Sequence, residues 1–161
     1  VQQVVGTDCA FAAVKADGSV VTWGHISFGG DSSPVREQLA ADVLQVAGTS
    51  RAFAAVRADG SVVTWGHAGS GGDCSSVREQ LAAEVQQVAG TAGAFAAVKA
   101  DGSVVTWGHA GSGGDCSSVR GQLVADVKQV AGTAGAFAAV KIDGAVVTWG
   151  DAGCGGDSSS V

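Results

Sequence analysis

Apolar residues in this chain come in short runs broken by Gly, Thr or Lys, and the third copy of a recurring pattern shows their grammar most clearly. Val85 to Gly90 (Val-Gln-Gln-Val-Ala-Gly) predicts a short strand closed by Gly. Ala94 to Ala100 predicts a second strand rich in Ala and Val, and Ser103 to Trp107 a third, with β-branched residues at Val104, Val105 and Thr106. Between the last two strands stands Asp101-Gly102, a two-residue hairpin signal, because a type I′ turn wants positive φ at both positions. That turn sets an expected register: Lys99 opposite Val104, Val98 opposite Val105, Ala97 opposite Thr106, Ala96 opposite Trp107 and Phe95 opposite Gly108. Each aromatic is then expected to face a residue with little or no side chain.

The pattern repeats. Asp17 to Gly24, Asp59 to Gly66 and Asp101 to Gly108 are identical, and Asp143 to Gly150 differs only at Ala145. Trp23, Trp65, Trp107 and Trp149 fall at a period of 42 without slippage, as do Phe11, Phe53, Phe95 and Phe137 and the turn glycines Gly18, Gly60, Gly102 and Gly144. A fixed period of this size marks a repeat architecture, in which each unit buries its apolar faces against its neighbours. Both faces of the hairpin are mostly apolar, which suits a sheet held between like sheets, as blades pack in a propeller. The expected fold is therefore all-β: a single repeat domain over 1–161, a β-propeller of four blades at 1–42, 43–84, 85–126 and 127–161, the last truncated.

Two connecting stretches read less simply. Ser76 and Glu79 have capping-box spacing, and Val77, Leu81 and Val85 recur at four-residue intervals, so 76–85 is expected to be either a short outer strand or a two-turn helix. In the first repeat Pro34 takes the place of that Ser, with Ser33 before it as a cap candidate, and Pro suits a first helical turn. The glycine-rich loop His109 to Asp115 invites comparison with phosphate cradles, but no Lys follows it. Asp31, Asp73, Asp115 and Asp157 at its end would repel an anion.

At 161 residues with 46% hydrophobic content, the chain can bury the core of one domain and leaves no room for a separate second one. The net charge of −6, with no basic block, argues against nucleic acid or an anionic membrane surface as partner. No apolar run is long enough for a membrane span or a signal-peptide core. Of the four cysteines, Cys74 and Cys116 share a repeat position that Ser32 and Ser158 occupy in the other copies. This reads as a small-residue requirement and favours free thiols over disulfides, which leans toward a reducing compartment. The chain starts at Val1 and has no Met, which suggests a processed N-terminus or a piece of a longer chain.

The unit Val-Gln-Gln-Val-Ala-Gly followed by Phe-Ala-Ala-Val-Lys-Ala-Asp-Gly-Ser-Val-Val-Thr-Trp-Gly resembles the repeat of the regulator of chromosome condensation family, most closely over residues 98–108 and again in every unit. Its Gly-Gly-Asp-Ser-Ser variant resembles repeat arrays of unicellular algal proteins. The family resemblance implies a β-propeller of about seven blades. This chain departs from the family pattern where His usually precedes the second strand, having Ala10, Ala52, Ala94 and Ala136, and where a Gly-Gln-Leu-Gly loop is replaced by Gly-Gly-Asp. The family's founding activity, nucleotide exchange on a small GTPase, depends on a loop insertion that these four near-identical repeats do not contain. The resemblance therefore implies a fold and no activity.

With no catalytic constellation and no cofactor motif, the expected function is that of a non-enzymatic protein-interaction scaffold, with variation concentrated in loops at Ile26, Phe28, Ser50 and Arg51. One alternative is a metal-binding propeller, in which His25, His67, His109 and Asp151, all at one repeat position, ring a single ion. A second alternative is a hydrolase using loop Ser, His and Asp, against which stands their recurrence in every unit. Four wedge-shaped blades of a seven-bladed family would leave Val, Ala and Trp uncovered at each end, so the chain is expected to self-associate or to be part of a larger propeller or array. The fourth unit, lacking counterparts of Arg78 to Glu84, points the same way.

Overall fold

A computed structural model describes residues 1–161 as four three-stranded antiparallel sheets in series. Blade one comprises β1 (Gln3–Gly6), β2 (Ala10–Val14) and β3 (Val20–Gly24), and blade two β4 (Val43–Gly48), β5 (Ala52–Arg57) and β6 (Val62–Gly66). Blade three comprises β7 (Val85–Gly90), β8 (Ala94–Lys99) and β9 (Val104–Gly108), and blade four β10 (Val127–Gly132), β11 (Ala136–Lys141) and β12 (Val146–Gly150). Each sheet runs inner, middle, outer in chain order, and successive inner strands lie side by side. This is a β-propeller arrangement of four blades. No helix is long and apolar enough to cross a membrane.

The hairpin register differs from the sequence expectation by one residue. Phe95 lies opposite Trp107, Ala96 opposite Thr106, Ala97 opposite Val105 and Val98 opposite Val104, and the same pairing recurs in all four blades. The reason is the turn. The Gly102 amide donates to the Lys99 carbonyl at 2.9 Å and the Lys99 amide to the Ser103 carbonyl at 2.9 Å. Of Asp101 and Gly102 only the glycine has positive φ, at 78°. This is a type I turn followed by a left-handed glycine, a three-residue loop rather than a two-residue type I′ turn. The extra residue brings Phe and Trp face to face, with ring centroids 5.4 Å apart in blade three and 5.3 Å in blade two.

Asp101 shapes this turn by accepting from both the hydroxyl and the amide of Ser103, at 2.6 and 2.9 Å. Asp17 and Asp59 do the same with Ser19 and Ser61. The serine hydroxyl first, and then the serine amide, hold these three exposed carboxyls below their ordinary range. A depressed folded pKa contributes stability that is present above the unfolded value and lost as pH falls through the folded one. The melting temperature is therefore expected to decline as pH drops below about 4. A midpoint that stays level through that range in a calorimetric pH series contradicts this account of the turns.

The stretch 76–85 forms neither an outer strand nor a two-turn helix. A 3-10 turn at Ser75–Val77 is followed by irregular turns, and only in blade three does the equivalent extend, to Ser117–Gln122. No capping box forms between Ser76 and Glu79; instead the Ser75 amide donates to the Asp73 carboxylate at 2.9 Å. In blade one, Pro34 does sit in the first turn of its 3-10 segment, but the capping position is Ser32, not Ser33, and its side chain makes no cap bond. The segment is held open by its ends. Leu81 is buried, and its carbonyl accepts from the Val62 amide at 3.0 Å, which ties it to the outer strand of its own blade. Each blade therefore has three strands.

The core lies between blades rather than within them. Ala10, Ala12 and Val14 of blade one pack with Leu39 of the connector and with Val46, Phe53 and Trp65 of blade two, and the same positions build the junctions two–three and three–four. Four blades thus have three cores. At the two ends half a junction is left over: Phe11 is 47% and Trp23 48% exposed, whereas Phe53 and Phe95 are 0% and Trp65 and Trp107 are 4% and 3%.

Candidate interaction surface

The residues expected to matter divide into those that build the junctions and those that face outward. Among the first, the Trp indole has a polar task that periodicity alone does not reveal. Trp65 Nε1 donates to the Gly29 carbonyl of the preceding blade at 3.1 Å, Trp107 to Gly71 at 3.1 Å and Trp149 to Gly113 at 3.0 Å. These bonds satisfy a buried donor that would otherwise be costly. The accepting glycines also make room. A Cβ on Gly71 would meet the Phe95 ring at 2.5 Å, and Gly71 has φ of 97°.

The glutamine of each inner strand was missed as a functional position, although its recurrence at 3, 45, 87 and 129 was a visible signal. Gln3 donates through Nε2 to the Val46 carbonyl and accepts through Oε1 from the Val46 amide, both at 2.9 Å. Gln45 Nε2 donates to the Val88 carbonyl at 3.3 Å and Gln87 Nε2 to the Val130 carbonyl at 3.2 Å. The side-chain amide thus substitutes for the backbone ladder that separate sheets cannot share.

The metal ring does not assemble. His25, His67, His109 and Asp151 each precede the 3-10 turn of their own blade, and nowhere do three His, Cys, Asp or Glu side chains gather where one ion could reach them. Each histidine has a local role instead. His25 Nδ1 accepts from the Ser27 amide at 3.2 Å, while His67 and His109 Nδ1 lie 3.3 and 3.2 Å from the Ser70 and Ser112 hydroxyls. Those Ser–His pairs belong to a single turn, and no carboxylate is bonded to either ring to orient it as a base. All four cysteines are free, and Cys74 and Cys116 are partly buried beside the junction cores.

A cluster of departures from the repeat lies at one end of the molecule, where the loop between inner and middle strands meets the segment after the outer strand. At the junction of blades one and two this end carries His25, Ile26, Phe28 and Arg51, where later blades have small residues after the His or Asp. The Arg51 guanidinium lies over the Phe28 ring, 4.8 Å from its centroid, and His25 meets the same ring edge-on at 5.1 Å. Ile26 is 71% exposed beside them, and Arg51 Nε is buried without a hydrogen-bond partner. An apolar side chain and an aromatic-stacked guanidinium at a loop tip are the chemistry of a protein contact.

No family model matches the chain, and no curated protein matches it in sequence. Solved structures are similar in fold. Human WBSCR16 superposes with a TM-score of 0.63 at 21% identity, over 92% of this chain and 47% of that one. Prp20p from Saccharomyces cerevisiae gives 0.65 at 16%, over 92% and 44%. The ectodomain of the Physcomitrella patens receptor kinase CR4 gives 0.59 at 12%, over 91% and 40%. At such identities the likeness shows the fold alone, that of a β-propeller, and this chain spans less than half the length of each. Prp20p was studied for its binding to Gsp1p and histones, and yeast RCC1 (Prp20) has been solved bound to Kap60.

Proposed function

We propose that this chain is a non-enzymatic protein-interaction scaffold that works as part of a ring larger than four blades and presents the His25, Ile26, Phe28 and Arg51 cluster to a protein partner. The observation that carries the reading is the contrast between nearly identical repeats and one loop end where identity breaks down into an exposed apolar residue beside a stacked guanidinium. The binding of RCC1-like propellers to proteins, as for Prp20p with Gsp1p and histones, supports it. The departure from a closed four-blade ring rests on the half-exposed Phe11 and Trp23.

The test is a comparison of three immobilised proteins in a native extract: the chain itself, Ile26→Ser with Arg51→Ala, and Ile142→Ser as a control at an exposed apolar position on another blade. Loss of a specific captured protein with the double variant alone is the expected result, by about tenfold or more, since contacts of this kind carry at least 1–2 kcal/mol. Capture unaffected by the double variant removes the cluster as the binding site. The melting temperature of the double variant should stay within about 3 °C of the parent, because neither side chain belongs to a junction core.

A further inference from the structure

We propose that the groove along the outer edge of blade three takes up an extended segment of a protein partner bearing acidic side chains, which adds to β9 as a further strand. This surface shares no residue with the His25, Ile26, Phe28 and Arg51 cluster and stands independently of it. The argument starts from the backbone of β9. Its pairing with β8 sets Val105 opposite Ala97 and Trp107 opposite Phe95, and the Lys99 amide donates to the Ser103 carbonyl at 2.9 Å. In an antiparallel pair alternate residues turn their N–H and C=O toward the partner strand. Ser103, Val105 and Trp107 therefore bond inward, and Val104 and Thr106 turn their backbone groups out to the edge.

The chain covers that edge at two points and leaves it open between them. The Val104 amide donates to the Leu123 carbonyl at 2.9 Å, and the Thr106 hydroxyl to the Gly114 carbonyl at 3.0 Å. Between these points the Val104 carbonyl and the Thr106 amide have no partner in the chain. Such an unpaired donor and acceptor on a sheet edge is a template for another strand. In a parallel ladder a single added residue satisfies both, donating to the Val104 carbonyl and accepting from the Thr106 amide. There is room for it: the groove has a volume of about 480 Å³, with Val77 and Gln80 of the preceding connector on one side and Leu123 and Val124 of the following one on the other. That volume lies within the range of ligand sites.

Charge identifies the occupant. Lys99 and Arg120 both line the groove, and neither is ion-paired, since Arg57 with Asp59 is the one salt bridge of the chain. The one carboxylate on the wall, Asp115, accepts from the Ser117 amide at 2.9 Å. The following connector carries Gly121 where the two earlier ones carry Glu37 and Glu79, so this flank keeps its Arg and loses a negative charge. In a chain of net charge −6, two unpaired cations on one groove run against the general balance. The comparable grooves beside β3 and β12 are smaller, about 340 and 260 Å³; the first sets Arg36 against Asp31, and the second has Asp157 and no cation. The edge is thus repeated while the charge is not, which selects blade three and an acidic partner. Main-chain bonds to β9 give affinity, and the two cations give specificity.

The test uses a capped peptide of alternating Val and Glu, titrated into the isotope-labelled chain and followed by NMR. The Thr106 amide resonance is expected to move downfield and its hydrogen exchange to slow, while the amides of Thr22 and Thr148 move much less. Lys99→Ala with Arg120→Ala should weaken binding by about tenfold or more and leave the remaining amide spectrum in place, because Arg120 is exposed and Lys99 is only half-buried. A peptide with Lys in place of Glu should not bind, nor should the Glu peptide with every amide N-methylated. No change at Thr106 up to millimolar peptide, equal changes at all three threonines, an affinity that the double variant leaves intact, or retained binding of either altered peptide overturns the proposal.

Discussion

Phe95→Ala is expected to lower the stability of the chain by about 3–5 kcal/mol, enough to move the melting temperature by roughly 10 °C or more. The ring is fully buried, stacks on Trp107 within its blade and presses against Gly71 of the blade before it. Its removal opens a cavity in the middle of a junction where the surrounding Ala residues are too small to collapse into the space. The informative comparison is Phe11→Ala. Phe11 stacks on Trp23 in the same way but is 47% exposed, so its loss should cost well under half as much. Equal effects of the two substitutions in denaturant titration would mean that the junctions are not where the stability resides.

Gly71→Ala should cost about 3 kcal/mol, summing left-handed strain of roughly 1–2 with overpacking of roughly 1–3. The strain arises at φ of 97°, and the overpacking from a Cβ placed 2.5 Å from the Phe95 ring. Gly155→Ala separates the two contributions. Gly155 has nearly the same φ, at 99°, but nothing stands within 4 Å of its Cβ, so only the strain remains. If the two variants melt together, the close approach between blades contributes nothing and the Phe95 ring has room to move aside.

The propeller was legible in the sequence because its signals are redundant: one pattern written four times fixes strand order, blade size and the apolar character of both faces. The register was not, and Asp101-Gly102 shows why. The same dipeptide closes a two-residue type I′ turn or ends a three-residue loop with glycine left-handed, and the two differ by one residue in every cross-strand pair. What selects the second is non-local. It puts Phe95 against Trp107 as one slab, which fits the groove of the preceding blade and aims the indole N–H at Gly71. For 76–85, the four-residue spacing of Val77, Leu81 and Val85 reflected anchoring of an irregular segment to one core rather than one helical face: Val77 lies beside the second junction core, while Leu81 and Val85 enter it. At the candidate surface, Ile26, Phe28 and Arg51 stood out as departures from the repeat. That Arg51 reaches across a blade boundary to stack on Phe28 could be seen only in three dimensions.

The two faces of each blade differ, one offering Phe, Trp and Val and the other Ala, Val and a glycine carbonyl, and this difference bears on how such a gene can change in length. A unit whose front fits the back of any other unit can be duplicated or deleted in whole copies without a new surface having to arise, because each added copy brings both halves of one more junction. A self-complementary blade would pair off and stop. Duplication in register with the 42-residue period is therefore structurally neutral at every internal boundary, while any duplication out of register cuts a blade and exposes its core. The identity of the segments Asp17 to Gly24, Asp59 to Gly66 and Asp101 to Gly108 is what a chain lengthened by such whole-unit copying would carry.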